Sequence, residues 1–310
     1  MINFFNKEIL LVKFPIIFPL FYGLVLYLFP KYETFLILIT IFLLAETHFA
    51  ATWPFFLNKT NYPHILKNKT SLVLSPILLI LFCAIGFFYF KYFFLLLFFA
   101  ANVYHVTRQS YGVMSLYVQN IQEKKYYEIG LYIFNIIFFL VAFFRFYKPL
   151  INNENLIILN FIIILSMILT FVYLLLKYKF SENFLTFVTG VLIFYPVCFV
   201  ANPVHAIIMG VTMHYTQYLF FTNKVDVARN NEKINFKKRS FLNFRFWVIL
   251  FIYSLIMTYF SLMGKVGSEH FQNLIIIPIT GQMLHFYLDS QLWKFSESHN
   301  RDHTLKYIKN

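Results

Sequence analysis

Four histidines stand inside long apolar runs of this sequence: His48, His105, His214 and His285. In a bilayer interior such ionisable groups are rare, and they usually face one another or a functional pathway because water cannot solvate them. Neutral imidazole binds iron, copper, zinc and nickel. A set of histidines without a thiolate, in apolar surroundings, favours a redox metal that activates dioxygen. The four residues therefore predict a metal site, with Fe(II) as the first choice.

Each of these histidines has polar residues three or four positions away, which is the spacing of one helical face. Metal-binding histidines usually donate their second ring nitrogen to a carboxylate, amide or carbonyl group. We therefore expect the polar neighbours to orient the rings. They are Thr52 beside His48, Arg108 and Gln109 beside His105, Gln217 and Tyr218 beside His214, and Gln282 and Asp289 beside His285.

Two further ionisable residues lie close to this set in the sequence. Glu46 is two residues from His48 and faces nearly the opposite way on an ideal helix. We expect it to pair with Arg108 or to sit at a helix contact, and a ligand role stays open. His205 is nine residues before His214, again on nearly the opposite face, and is expected at a portal or interface near the outer surface.

The composition places these histidines in a membrane protein. Hydrophobic residues make up 60 % of the 310-residue chain, aromatic residues 22 % and charged residues only 13 %. A soluble fold of this size does not bury so much apolar surface. The apolar residues also form runs of roughly twenty, the length that crosses a hydrocarbon core of ~30 Å. Cys83 and Cys198 lie within such runs and are expected to be buried hydrophobic residues rather than a disulfide.

The hydropathy pattern predicts an all-α fold, a polytopic integral membrane helix bundle of about ten transmembrane helices. Residues 1–310 would form a single membrane-embedded helical domain, with a polar cytoplasmic tail from about residue 295. The predicted spans are residues 9–29, 35–57, 71–90, 92–117, 129–147, 156–176, 184–202, 203–223, 244–263 and 274–294.

The positive charges indicate how this bundle is oriented. Most of the 26 Lys and Arg residues fall in the terminal segments and the even-numbered loops, so the positive-inside rule places both termini in the cytoplasm. Topology and attraction to anionic lipid then explain the net charge of +13 without a nucleic-acid partner. We expect a multi-pass protein of a bacterial inner (cytoplasmic) membrane.

The predicted topology gives the four histidines a common depth. Each lies about eleven to thirteen residues from the outer end of its span, or about 17 to 20 Å into the bilayer at ~1.5 Å per residue. If the four helices pack together, the imidazoles converge on one point. One depth suits a single metal ion better than haem, since two haems need facing pairs at two depths. Proton relay and hydrogen bonding between helices remain alternatives.

Scattered membrane histidines of this kind resemble the Brp/Blh family of bacterial β-carotene dioxygenases. The His-Phe-Ala stretch at His48 is similar to the family's His-Phe-Gly stretch, and the His-Phe-Tyr-Leu-Asp stretch from His285 to Asp289 is similar to its late His-x-x-x-Asp helix. The family's early Pro-His-Gly and its His-x-x-x-His pair on one helix are absent from this chain. The resemblance implies that His48 and His285 bind iron, with His214 on the intermediate helix and His105 completing the set.

The function implied by this resemblance is oxidative cleavage of a carotenoid, or another long apolar substrate, by a membrane-embedded non-haem iron dioxygenase. A lipophilic small molecule would enter from the lipid bilayer and react with dioxygen to give a retinal-like aldehyde. The alternative is a histidine-dependent transporter or proton-coupled carrier, in which the histidines, Asp289 and Arg108 form a relay or an ion site. A non-catalytic scaffold is a third interpretation, which the buried polar set disfavours.

Overall fold

The computed structural model describes residues 6–231, 236–266 and 269–309. All regular structure in these ranges is helical, which confirms the all-α part of the prediction, and no strand occurs within them. The main helices are α1 (Ile17–Leu28), α2 (Pro30–Phe56), α3 (Thr70–Tyr89), α4 (Lys91–Tyr117), α5 (Ile121–Tyr147), α6 (Asn153–Tyr178), α7 (Glu182–Leu192), α8 (Pro203–Asn231), α9 (Phe236–Val266) and α10 (Ile276–Leu292).

Among the described residues, five helical segments are long and apolar enough to cross a membrane: α2, α3, α5, α6 and Phe244–Lys265 of α9. This agrees with the prediction of a helical membrane protein. His105, His214 and His285 lie on α4, α8 and α10, which are not among the five. Polar residues lower the hydropathy of α4 and α8, and α10 has only 17 residues. Three of the four histidines therefore lie on helices that are shorter or less apolar than these five, whereas His48 lies on α2.

The predicted spans at residues 9–29 and 184–202 are each interrupted in the structure. A short π-helical segment at Ile9–Lys13 is separated from α1 by a break that contains Pro15. Proline has no backbone N–H with which to continue a helical ladder. In the second case, α7 ends before a 3₁₀ turn at Tyr195–Cys198, whose second residue is also a proline.

Side-chain caps set the starts of three helices. Asn120 accepts hydrogen bonds from two backbone N–H groups in the first turn of α5. Asn152 accepts from the N–H of Asn155 at the start of α6, and Ser181 accepts from that of Phe184 at the start of α7. These residues satisfy donors that the helical ladder leaves open, so the short polar breaks in the sequence become sharp helix starts.

Contacts among the helices group the chain into two compact units. Unit 1 comprises Met1–Ile37 and Val103–Gln217, and unit 2 comprises Leu38–Asn102 and Tyr218–Asn310. His105 and His214 belong to unit 1, whereas His48 and His285 belong to unit 2.

Unit 1 is held by aromatic stacking and by close helix contacts at glycine. The ring of Tyr127 on α5 stacks on that of Phe187 on α7 with centroids 4.7 Å apart. A Cβ atom at Gly190 would lie 2.6 Å from a methyl carbon of Leu131, and one at Gly210 would overlap the backbone carbonyl of Ile193. Small residues allow helix backbones to come this close, and close van der Waals packing is what drives the association of helices in a membrane.

Unit 2 is built around the contact between α2 and α9. Ala50 and Ala51 on α2 pack with Phe246 and Leu250 on α9 and with Tyr218 on α8. The two alanines allow the helices to come close, and they fix the position of the turn of α2 that carries the candidate site.

The remaining apolar surface suits contact with lipid. Along α6, apolar side chains point outward over most of the helix, and Leu176 is 83 % exposed. Only a narrow stripe of α6, including Ile163, Met167 and Leu174, is buried. A helix with this much exposed apolar surface is expected in hydrocarbon rather than in water.

The segment predicted as a polar tail from about residue 295 packs onto unit 2. The Arg229 guanidinium donates a hydrogen bond of 2.6 Å to the backbone carbonyl of His303, and Lys224 donates one of 2.8 Å to that of Ile308. Thr304 is 1 % exposed. These contacts supply hydrogen-bond donors to backbone carbonyls of the short terminal helix. They explain why this polar C-terminal segment packs against the rest of unit 2.

Candidate metal centre

Two of the predicted histidines face each other inside unit 2. His48 on α2 and His285 on α10 are each 0 % exposed, and their ring centroids lie 4.4 Å apart at an interplanar angle of 67°. The ring of Phe49 covers His285 at 5.1 Å. A π-helical segment at Ile41–Ala45 precedes this turn of α2, a feature that is frequent at functional sites.

A hydrogen-bonded network holds His285 and Asp289 in place. The Thr52 hydroxyl lies 2.6 Å from Nδ1 of His285 and donates to Oδ1 of Asp289 at 3.2 Å. Tyr218 donates to the same oxygen at 2.7 Å. Thr52 and Asp289 are buried, so these bonds form where an unsatisfied polar group would be costly.

The Thr52 hydroxyl is within hydrogen-bond distance of three buried groups. It lies 2.6 Å from Nδ1 of His285, 2.9 Å from the hydroxyl of Tyr218 and 3.2 Å from Oδ1 of Asp289. These contacts hold the ring of His285 in one orientation through Nδ1.

The second oxygen of Asp289 lies near the other ring nitrogen of His285. Oδ2 of Asp289 is 3.7 Å from Nε2 of His285, four residues earlier on α10. This distance is too long for a hydrogen bond. The helical spacing predicted from the sequence thus brings the two groups together, although they are not hydrogen-bonded to each other.

Unit 1 contains a second buried pair of histidines. His105 on α4 and His214 on α8 have ring centroids 5.5 Å apart with the rings nearly perpendicular, at 88°. Their exposed fractions are 9 % and 1 %. Neutral imidazole is the form that binds a metal.

Each of the four histidines, and Asp289, belongs to a group of donor atoms close enough together to hold a metal ion. The chain matches no known family model, curated protein or solved structure. Imidazole nitrogens with a carboxylate form a donor set that divalent transition metals accept.

Two of the polar neighbours predicted to orient the histidines have other partners. Thr52, expected beside His48, is bonded to His285 on another helix. Gln217 donates to the backbone carbonyl of Val12 at 2.6 Å, within the interrupted first span. Glu46, two residues from His48, is buried, with 1 % of its surface exposed.

On α4, the predicted neighbours of His105 are less buried than the histidine. Arg108 is exposed and donates to the hydroxyl of Tyr132 at 3.2 Å, with its guanidinium over the ring of Tyr111. Gln109 is half-buried. Helix α4 therefore directs His105 inward and Arg108 outward.

A separate chain of titratable groups, centred on a buried histidine, occurs in unit 1. Nδ1 of His205 is 2.7 Å from the hydroxyl of Tyr22, and its Nε2 is 3.6 Å from a carboxylate oxygen of Glu33. His205, predicted near the surface, is only 1 % exposed, whereas the Glu33 side chain is 54 % exposed. No sequence pattern pointed to Tyr22 or Glu33, because both are far from His205 along the chain.

Proposed function

We propose that this protein is a multi-pass membrane oxygenase that binds one Fe(II) ion through His48, His105, His214 and His285. Its substrate is a long apolar molecule, with oxidative cleavage of a carotenoid to a retinal-like aldehyde as the first candidate. The observation that carries the proposal is the buried pair of His48 and His285 beside the anchored carboxylate of Asp289.

The donor set fits iron by its chemistry. Four neutral imidazoles without a thiolate suit a divalent first-row metal. Thr52 engages Nδ1 of His285, so Nε2 would be the nitrogen that binds the metal. Bound Fe(II) would supply the electrons that activate dioxygen. Thr52, Tyr218 and Asp289 keep the imidazole of His285 in one orientation, while the apolar walls of the site exclude water from it.

The class of substrate follows from the surroundings of the site. The exposed surface of the protein is rich in Phe, Leu and Ile, so an apolar substrate would arrive through the lipid. The two short stretches at His48 and His285 that resemble the Brp/Blh dioxygenases support a carotenoid over other lipids. The hydropathy pattern supports ten spans, and the charge distribution supports a topology with both termini in the cytoplasm.

Metal analysis of the detergent-purified protein tests the proposal. We expect about one equivalent of iron after anaerobic reconstitution, and loss of that iron in His214→Ala and in His285→Ala. His303→Ala, in the C-terminal segment, is the matched control and should keep its iron. Retinal formation from β-carotene by the loaded protein would then identify the reaction. A wild-type protein without stoichiometric metal would exclude the oxygenase.

A carrier function is the second candidate, and the chain formed by Tyr22, His205 and Glu33 favours it. A buried imidazole between a phenol and a half-exposed carboxylate is a typical element of proton pathways. In proteoliposomes with an imposed pH gradient, a carrier should move protons, and Glu33→Gln should slow them. Metal-free wild-type protein that conducts protons in this way would decide for the carrier.

A further inference from the structure

A surface groove in unit 2 lies where a short helix meets the start of α3. The short helix spans Tyr62–Lys67 and ends at Asn68, where the chain bends before α3 begins at Thr70. The groove has a volume of about 390 Å³, which is within the range of sites that bind small molecules. Its walls are mostly aliphatic and are formed by Ile65, Leu66, Val73, Leu74 and Ile77.

Hydrogen bonds on both sides of the bend fix the shape of the groove. The side-chain amide of Asn68 donates to the backbone carbonyl of His64 at 3.0 Å, which closes the end of the short helix. The hydroxyl of Tyr287 on α10 donates to the backbone carbonyl of Ser71 at 2.7 Å and so ties the first turn of α3 to another helix. A groove that is already formed binds a ligand without the cost of ordering its own walls.

The two ends of the groove differ in polarity. Val73, Leu74 and Ile77 lie on α3, one of the five membrane-length helices, and each is between 43 % and 50 % exposed. Lys69 and Thr70 line the other end, where α3 begins. Lys69 is exposed, and it has no salt-bridge partner in the part of the chain that the structure describes. Its ammonium group is therefore available at the level where lipid headgroups meet the hydrocarbon.

Charge complementarity selects the occupant of the groove. An aliphatic channel with a cation at one end matches an acyl chain joined to an anionic headgroup. Under the proposed topology this end of α3 faces the cytoplasm, where the membrane leaflet carries anionic lipid. A second copy of the chain fits less well, because a symmetric contact across the groove would bring Lys67 and Lys69 close to the same two lysines of the other copy.

From these observations we infer that the groove between the short helix Tyr62–Lys67 and α3 is a binding site for one anionic phospholipid. An acyl chain lies along Val73, Leu74 and Ile77, and the phosphate group contacts Lys69 and Thr70. This site needs only the membrane location of the protein, so it is independent of the proposed metal centre and of the reaction there.

Native mass spectrometry of the delipidated protein tests the headgroup end. We expect the first molecule of dioleoylphosphatidylglycerol to bind about fivefold more tightly than dioleoylphosphatidylcholine, which is the effect of one lysine near an anionic lipid. Lys69→Gln should remove this preference. Lys67→Gln is the matched control, since it makes the same change of charge two residues away and outside the groove lining, and it should keep the preference. Equal affinity for the two lipids, or equal effects of the two variants, would overturn the site.

The apolar end is tested by filling the groove. Leu74→Trp should weaken binding of the first phosphatidylglycerol several-fold, whereas Leu165→Trp, at a leucine of similar exposure on α6, should not. If Leu74→Trp instead converts a dimer into a monomer, a second copy occupies the groove and the lipid site is wrong.

A measurement on the wild-type protein avoids any question of misfolding. In nanodiscs, a phosphatidylglycerol with a diazirine in its acyl chain should label residues 65–77 on illumination, and unlabelled phosphatidylglycerol should compete better than phosphatidylcholine. Labelling spread equally over this segment and the exposed face of α6, without such competition, would show only non-selective lipid contact and would overturn the proposal.

Discussion

The hydroxyl of Thr52 lies 2.6 Å from Nδ1 of His285, although the two residues are 233 positions apart in the chain. This contact joins α2 to α10 inside unit 2 and engages Nδ1 of the imidazole. A threonine on one helix thereby helps to orient a histidine on another.

Replacement of Thr52 by Val should damage both stability and metal binding. Valine keeps the shape of threonine but leaves Asp289 and His285 each short of one partner. We expect a loss of about 1 to 3 kcal/mol in the free energy of unfolding and a ten- to hundredfold loss of metal affinity. Thermal unfolding in detergent and competition with a chelator measure the two effects. Thr52→Ser, which keeps the hydroxyl, should stay close to wild type, and equal losses in both variants would contradict the hydrogen-bond role.

Two glycines of unit 1 should respond in opposite ways to alanine. A methyl group at Gly210 would overlap the backbone carbonyl of Ile193, which has no side-chain freedom to move away. A methyl group at Gly112 would meet open space. We expect Gly210→Ala to cost about 3 kcal/mol or more and Gly112→Ala to be neutral or stabilising by up to about 1 kcal/mol. Thermal unfolding of the two variants side by side tests this contrast.

Arg229 should be required for docking of the C-terminal segment. Its guanidinium donates to the carbonyl of His303 and to the hydroxyl of Thr304, and it lies 4.4 Å from the ring centroid of Phe55. Arg229→Ala should therefore expose residues 298–309 to limited proteolysis at least several-fold faster. Arg229→Lys should rescue little, because lysine lacks the planar fork that makes both bonds. Protection equal to wild type in both variants would show that other contacts hold the segment.

Acidification should loosen the same segment through His299. Burial, together with His64, His303 and Arg229, lowers the pKa of His299 from 6.5 to about 4. Its Nε2–H donates to Asn61 at 3.0 Å in the neutral form. The folded state disfavours protonation of the His299 imidazole. The stabilisation that neutral His299 gives the folded state is therefore complete above pH 6.5, and it is lost as the pH falls from there toward 4. The free energy of unfolding, measured across this pH range, should depend less steeply on pH in His299→Gln, which keeps an N–H for Asn61. An identical pH dependence in the variant would assign the effect to another group.

Helical spacing allowed the sequence to predict contacts within one helix. Asp289 was expected on the face of His285 from the four-residue interval, and the structure places Oδ2 and Nε2 3.7 Å apart. Such predictions succeed because 3.6 residues per turn fix which side chains share a face. The same reasoning paired Thr52 with His48 and Gln217 with His214. In the structure, however, Thr52 is hydrogen-bonded to His285 and Gln217 to the backbone carbonyl of Val12.

The amino-acid sequence by itself determined that the protein is helical and suited to a membrane, because apolar runs of membrane length have few other ways to satisfy their backbone groups. It also marked the four histidines, since polar groups stand out in such runs. Only the tertiary structure decided the partners of Thr52, Gln217 and His205, and the docking of the C-terminal segment. Those choices depend on which helices pack together and at what rotation, and this is a property of side-chain packing that no local spacing encodes.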